Sequence, residues 1–488
     1  MKDWFKYRGY PHISNEIPFS KRTETYRYVS SPKKVASHKF LPFIRKTIVQ
    51  RRYKRIDGFK SSKRGHTAVV DGVSKPTHKL REIMFSCHMD AHVYSYYAKK
   101  LIEPKYESVL LSDQKLNESV TAYRSVELES DKSKHKSNLH FAREVVKEIE
   151  NRRACTALLF DIKDFFPSLN HKRLKQEWSK LLGFKSLPRD HYNVFKSITN
   201  YSFINQADLR TEKGTFDEKI LAEIRNCGKN SFFHSIRDFL DSDISIYKNN
   251  KKGVGIPQGL PISALLANIY MLEFDKKVIR FLGQEKQVFY RRYSDDMIFI
   301  SEAEHIERIK EFVQSEMDEI GLKISKEKTE IFHFKESTTH GMIRLESYAE
   351  RNGVLINNIP LSYLGIEFYG YQTLLKSKNL ASFYREMKEG VATKSKRIEK
   401  IKAMQLLDEA PLFKRKIYRL YSYNGKKSRL KLKGGREVRF RGNFISYALR
   451  ASEIMDAPEI RHQIRNHFRI LKRTIDKYEF SNNSKSHE

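Results

Sequence analysis

Two adjacent carboxylates, Asp295 and Asp296, stand between runs of β-branched and aromatic residues in "VFYRRYSDDMIFIS", residues 288–301. Val288, Phe289 and Tyr290 on one side, and Met297, Ile298, Phe299 and Ile300 on the other, have the composition of two short buried strands. Tyr293-Ser294-Asp295-Asp296 is then the turn of a hairpin. Anions side by side near a core repel each other and lose hydration, so a cation, lysine or metal, has to accompany them. A solvated hairpin tip is the simpler reading of this fragment alone, because Ser and Asp are ordinary turn residues.

The rest of the chain supplies the context. Its 488 residues suit two to four packed units, and 93 Lys/Arg against 59 Asp/Glu leave a formal charge of +34. Solubility does not require so large an excess. It predicts a polyanionic partner, nucleic acid before an anionic membrane. Aromatics at 12% can supply stacking platforms beside the cations, although most of them belong in the core. Cys87, Cys155 and Cys227 have no metal-ligand spacing and imply no disulfide framework, which fits a reducing cytoplasm. The opening "MKDWFKYRGYPH" has no apolar signal-peptide core, and no run of about 18 apolar residues suggests a membrane span.

Residues 1–70 hold 18 Lys/Arg and 4 Asp/Glu, densest in "RKTIVQRRYKR" at 45–55, and read as a basic, partly helical N-terminal extension. The spacing in 80–105 predicts a helix that ends before Pro104. "NLHFAREVVKEIENRR" is an amphipathic helix, and "ACTALLFDIKDFFPSL" a buried strand that turns at Pro167. Residues 185–250 are polar and mixed, with helices expected. "GIPQGLPISALLANIYMLEFDKKV" at 255–278 is a Gly/Pro turn feeding a long apolar helix. After the hairpin come a helix that Gly321 stops, an alternating strand "LKISKEKTEIFHF", and a strand or hairpin "IPLSYLGIEFYG". From 376 onward the chain reads as helical and basic, and 411–441 carry twelve Lys/Arg against Glu437 alone.

Asp161 ends the buried run "TALLF", where a helix N-cap is the plain alternative. If its strand lies beside the hairpin, three carboxylates converge. Divalent metals would then balance them, since Mg²⁺ takes oxygen ligands and tolerates bridging phosphates. Two such ions suit nucleotidyl transfer.

In this order the segments resemble the palm of reverse transcriptases, especially the bacterial lineage of retron, group II intron and defence-associated enzymes. "FDIKDFF" resembles the first catalytic motif, an Asp followed five positions later by an aromatic. "GIPQGLPISALLANIYM" is close to the Pro-Gln-Gly motif, and "YSDD" matches Tyr-x-Asp-Asp. "GLKISKEKT" and "YLGIEF" are similar to the next palm motif and the primer grip, while "HKLREIMF…D" and "TAYRS" resemble finger motifs more loosely. The resemblance spans roughly 75–370. It implies an α+β right-hand polymerase of fingers, palm and thumb, with an antiparallel palm sheet carrying the YxDD hairpin, plus basic, mostly helical N- and C-terminal extensions. The expected division is 1–70 extension, 71–375 fingers and palm with an insertion at 185–250, and 376–488 thumb and nucleic-acid-binding region.

Carried over residue by residue, the resemblance makes Asp161, Asp295 and Asp296 the metal-binding triad, helped by the carbonyl of Ile162, with Asp164 a bystander. Phe166 falls at the sugar gate, where a bulky ring favours deoxynucleotides; core packing is its alternative. Gln258 would lie against the incoming nucleotide, and Lys328 would protonate the leaving pyrophosphate unless it is a solvated strand lysine. Lys79, Arg81 and Arg124 are candidate triphosphate clamps, although among 93 basic residues a surface charge or a nucleic-acid backbone contact is the plainer reading of any given one. The implied activity is RNA-directed DNA synthesis with two Mg²⁺ ions, or Mn²⁺, on an RNA template, using dNTPs and yielding DNA. Resemblance further implies a cognate non-coding RNA, a bacterial cytoplasmic setting in antiphage defence, no membrane, and self-association left open. A retron or intron-type enzyme with its own structured RNA is the alternative, an RNA-dependent RNA polymerase is disfavoured by Phe166, and a catalytically silent RNA-binding scaffold is the reading from another class.

Overall fold

The computed structural model describes residues 4–51, 54–55, 64–65, 67–70, 73–76, 78–209, 218–249, 253–284, 288–325, 328–339, 341–351, 353–403, 414–423, 429–431, 437–439 and 442–484. Helices and sheets are mixed along the chain. At its centre lies a six-stranded antiparallel sheet in the order Phe289–Tyr293, Asp296–Ser301, Cys155–Asp161, Glu330–Thr339, Met342–Arg351 and Val354–Asn357.

Side-chain alternation splits this sheet between two cores. Leu158, Phe160, Met297 and Phe299 point to one, shared with the helices Ser263–Gln284 and Ile306–Glu319. Cys155, Ala157, Ile298, Ile300, Phe332 and Phe334 point to the other, shared with helix Asn138–Arg152, the strands Leu361–Tyr363 and Ile366–Phe368, and helix Phe444–Met455. Coverage of both faces explains why "MIFI" is an unbroken apolar run rather than an alternating one. The outer strand Val354–Asn357 is exposed along its whole length.

A second sheet of four strands joins distant parts of the chain. Phe43–Arg51 pairs antiparallel with His78–Phe85 and parallel with Ser202–Asn205, and Tyr247–Lys248 closes the far edge. Part of the expected basic extension is therefore a sheet strand, and Trp4 and Phe5 are buried against His92. The region 185–250 contributes helices Arg189–Thr199, Glu218–Asn226 and Ile236–Leu240 besides two strands of this sheet. C-terminal helices Ser377–Ala403, Lys414–Tyr421, Phe444–Met455, Glu459–Ile464 and His467–Ser484 follow, with the short pair Arg429–Lys431 and Glu437–Arg439.

Two local expectations need correction. Residues 80–105 are not one helix: strand His78–Phe85 precedes helix His88–Tyr96, a π-helical turn Tyr97–Ile102, and helix Glu103–Leu111. Pro104 does not end the helix. It occupies the first turn of Glu103–Leu111, where its missing N–H forfeits no helical bond. The strand expected from 322 begins at Glu330, because residues before it run along the Asp161 turn instead, with Ile324 bridging Ile162.

Two-sided burial sets the mutational costs. Phe299→Ala is expected to destabilise by about 3–5 kcal/mol and Ile298→Ala by about 2–5 kcal/mol. Val354→Ala, at a residue 62% exposed, should stay within about 0.5 kcal/mol. Urea unfolding of the three variants checks the ranking.

Candidate active site

Strand pairing gathers the acidic residues. Asp161 at the end of its strand lies directly opposite Asp296, the first residue of the adjoining strand. Ser294 makes the hairpin turn with φ 63°, and the Asp295 carbonyl accepts from the Ile162 N–H at 3.3 Å. Asp161 and Asp295 are half-buried, and Asp296 retains accessible surface. The loop before Glu330 clips onto the same point: Ser325 N–H donates to the Asp161 carbonyl at 2.8 Å, and Lys163 N–H to the Lys323 carbonyl at 2.8 Å. From that loop the Lys328 ammonium donates to Asp161 Oδ2.

The electrostatics are unbalanced on the hairpin side. Burial first, and the Asp161 charge after it, raise the Asp295 carboxyl above its ordinary range. Loss of hydration, then the charges of Asp295 and Asp161, push Asp296 up to about 7, against the pull of Lys328 and Lys376. No ion pair reaches either carboxyl from another described residue. All donors are hard oxygens, so the set fits a divalent cation of the Mg²⁺ or Mn²⁺ kind. Among the described residues, the one trio of metal-ligating side chains already within 4.8 Å of one another is Glu302, Glu304 and His305, just beyond the hairpin. The three aspartates are not drawn so close, and Lys328 supplies the positive charge at Asp161.

Behind the hairpin lies a network that sequence reading missed. Arg292 is fully buried and grips Asp275 through two bonds, Nε to Oδ1 at 2.8 Å and Nη2 to Oδ2 at 2.5 Å. Its Nη1 donates to Asn268 Oδ1 at 3.1 Å and to the Ser294 carbonyl at 3.2 Å. Tyr290 donates to Asp275 at 3.0 Å, and the Arg292 carbonyl accepts from Thr121 N–H at 3.0 Å. Burial works against the guanidinium charge, and Asp275 outweighs it. The usable signal was parity: Tyr290 and Arg292 occupy alternate inward positions of one strand, while Asp275 interrupts an apolar helix face.

The Gly-Ile-Pro-Gln-Gly turn, 255–259, is wedged between strand His78–Phe85 and the short helix Phe165–Ser168. Met84 N–H donates to the Gln258 carbonyl at 2.8 Å. Gly259 has φ 110°, and a Cβ there would fall 2.8 Å from both the Met84 carbonyl and Ile83 Cγ2. Gly255 has φ 89°, and its Cβ would meet the Pro167 carbonyl at 2.9 Å. Ile256 N–H donates to the Phe166 carbonyl at 3.0 Å, so the half-buried Phe166 sits next to this turn. The exposed Asp164 takes no part in the carboxylate set and adopts a left-handed backbone, φ 47°.

Register identifies the cations that face the turn. Lys79, Arg81 and Ile83 alternate on one face of their strand, and Ile83 is the side chain that abuts Gly259. Lys46, opposite Ile83, shares that face and was not foreseen. None of these three cations makes an ion pair with another described residue. On the opposite face, by contrast, Arg45 is neutralised by Glu82 at 3.0 Å. Arg124 departs from expectation. Its side chain is 3% exposed and its N–H groups are spent on Glu107, on the carbonyls of Asn117 and Val120 at 2.7 Å each, and on Asn117 Oδ1. It braces the backbone and has no donor left for a triphosphate.

Residues 216–368 match the family model "Reverse transcriptase (RNA-dependent DNA polymerase)". The match includes Gln258, Asp295, Asp296 and Lys328 but not Asp161. No curated protein matches the sequence. Among solved structures, the chain is similar to apo telomerase from Candida tropicalis truncated from its C-terminal domain, at 12% identity and TM-score 0.36, over 74% of this chain and 61% of that one. It is also similar to apo telomerase from Candida tropicalis, at 13% identity and TM-score 0.37, over 77% and 57%. Telomerase from Candida albicans with a TWJ fragment of telomeric RNA is similar at 13% identity and TM-score 0.35, over 79% and 58%. The chain spans less than two thirds of each of these three.

Two outcomes are expected. Arg292→Met should cost about 3–5 kcal/mol in urea unfolding because Asp275 is left buried and unpaired, and adding Asp275→Leu should restore much of that loss. In metal-free buffer the folded protein holds the Asp296 proton until about 7, whereas the unfolded chain releases it near 3.8. Stability therefore falls as pH rises through that window. Asp296→Asn should melt above the wild type by a margin that widens up to about pH 7 and then stays level, as followed by thermal denaturation with a chelator present.

Proposed function

We propose that this chain is an RNA-directed DNA polymerase that joins deoxynucleotides by two-metal nucleotidyl transfer. The observation that carries the reading is the pairing of Asp161 with Asp296, with Asp295 at the same hairpin turn. The match over 216–368 supports it independently, since that segment does not include Asp161.

In this reading Asp161, Asp295, Asp296 and the Ile162 carbonyl hold two divalent ions, Mg²⁺ or Mn²⁺. When bound, such ions activate an attacking 3′-hydroxyl and neutralise the leaving pyrophosphate. Gln258 lies against the incoming nucleotide, positioned by the Met84 contact to its carbonyl. Phe166 presses on the sugar where a ribose 2′-hydroxyl would project. Lys79, Arg81 and Lys46 bind the triphosphate from the face of their sheet that meets Gly259. Lys328 leaves Asp161 as the ions bind and donates a proton to the pyrophosphate. The polymerase then divides into fingers and palm over 71–375 and a thumb over 376–488. Its template is RNA, a cognate non-coding RNA in the cytoplasm of a bacterium, where the enzyme serves antiphage defence. That setting rests on the order of the motifs and their likeness to the defence-associated lineage. Among the described residues no helix is long and apolar enough to cross a membrane.

The test is polymerisation by the purified protein with its co-purifying RNA retained, supplied with labelled dNTPs or rNTPs and Mg²⁺, followed by sequencing of product and RNA. The wild type should make DNA from dNTPs and Asp295→Asn none. Phe166→Ala should retain dNTP incorporation and accept rNTPs more readily. Absence of product from the wild type with RNA still tightly bound would favour a silent RNA-binding scaffold.

A further inference from the structure

The C-terminal helices have a small core of their own, in which Met387, Val391, Ile417, Leu471 and Ile475 pack together. Three rings meet at its margin. Tyr418, on helix Lys414–Tyr421, stacks on Phe468, on helix His467–Ser484, with centroids 5.9 Å apart and planes 24° apart. Tyr423 lies tilted on Phe468 at 5.6 Å and keeps 48% of its surface exposed. His467 meets Tyr423 edge-on at 6.0 Å and donates from Nδ1 to the Ile464 carbonyl at 2.7 Å. Its Nε2 is then a buried acceptor without a partner.

Cations flank these rings at helical spacing. Arg415 precedes Tyr418 by three residues and Lys472 follows Phe468 by four, so each lies on the face of its ring. Arg415, Lys416, Arg469 and Lys472 are exposed, and none pairs with an acid among the described residues. The segment "KRKIYRLYSY" at 414–423 contains no acidic residue at all.

We propose that this platform is a second nucleic-acid site that takes a single strand, stacking a base on Tyr423 while Arg415 and Lys472 hold the flanking phosphates. A single strand is required because paired bases hide the faces on which a ring can stack. An anionic membrane fits less well: insertion needs several exposed apolar side chains, and the exposed ring described at this site, Tyr423, has a polar tip. The inference rests on the polymerase reading only in taking nucleic acid as the polyanion.

Fluorescence anisotropy of labelled oligo(U), oligo(dT) and a duplex of equal length, titrated with the full chain, tests it. Tyr423→Ala should weaken single-strand binding by about 5- to 100-fold and duplex binding much less. Tyr423→Phe should restore affinity, and Lys472→Glu should lower the salt dependence. Loss on the RNA strand, the DNA strand or both supports the site and says which strand it serves. Unchanged single-strand affinity in Tyr423→Ala would overturn it, as would equal loss on the duplex, or loss confined to phosphatidylserine vesicles. Circular dichroism of Tyr423→Ala, expected to match the wild type, excludes misfolding as the cause. Failure of dNTP incorporation would leave this binding readout untouched, so the two proposals fail separately.

Discussion

A guanidinium sealed in the interior is tolerable only when its charge is matched and its N–H groups are satisfied, and Arg292 meets both conditions through Asp275, Asn268 and the Ser294 carbonyl. The last of these bonds ties the ion pair to the hairpin turn. It holds the carbonyl of the left-handed turn residue that precedes Asp295, while Thr121 secures the Arg292 carbonyl from the other side. Two aspartates that repel each other cannot position themselves. Their geometry is imposed from behind, by charges of opposite sign kept dry. Breaking that pair would loosen the turn as well as strand a charge.

The same logic explains the division of labour in the central sheet. Strands Cys155–Asp161 and Asp296–Ser301 are covered on both faces, so they have no freedom to slide or tilt, and the only acids these two carry are at their ends. The loop preceding Glu330 completes the arrangement with backbone bonds to Asp161 and Lys163 and with the ammonium of Lys328. Rigid strands locate the carboxylates, whereas the balancing cation sits on a loop from which it can depart.

Much of this was legible in the residues. Hairpin, buried strand and long apolar helix all announced themselves by run length and by flanking Gly, Pro and Asp, since those signals are local. What escaped was set by pairing between distant segments. Lys46 looked like one more basic residue in a cluster until its register with Ile83 placed it on the face toward Gly259. Arg124 looked like a phosphate ligand because nothing local reveals that Glu107 and two carbonyls will enclose it. The helix expected to stop before Pro104 continues through a π-helical turn, because a proline in the first turn of a new helical segment needs no N–H partner. Asp275 and Arg292 are 17 residues apart and carry no motif in common.

Strand Phe43–Arg51 assigns opposite roles to neighbours: Arg45 pairs with Glu82 on one face, while Lys46, on the other, pairs with no acid among the described residues. Which role a residue receives depends on whether its position is odd or even, and on little else. Exchanging one basic residue for another along this strand is therefore a mild event in evolution. Losing or gaining a single residue is not, because it would move Arg45 away from Glu82 to the other face and turn Lys46 toward the side of the buried Met84. This segment should drift by replacement and resist any change in length.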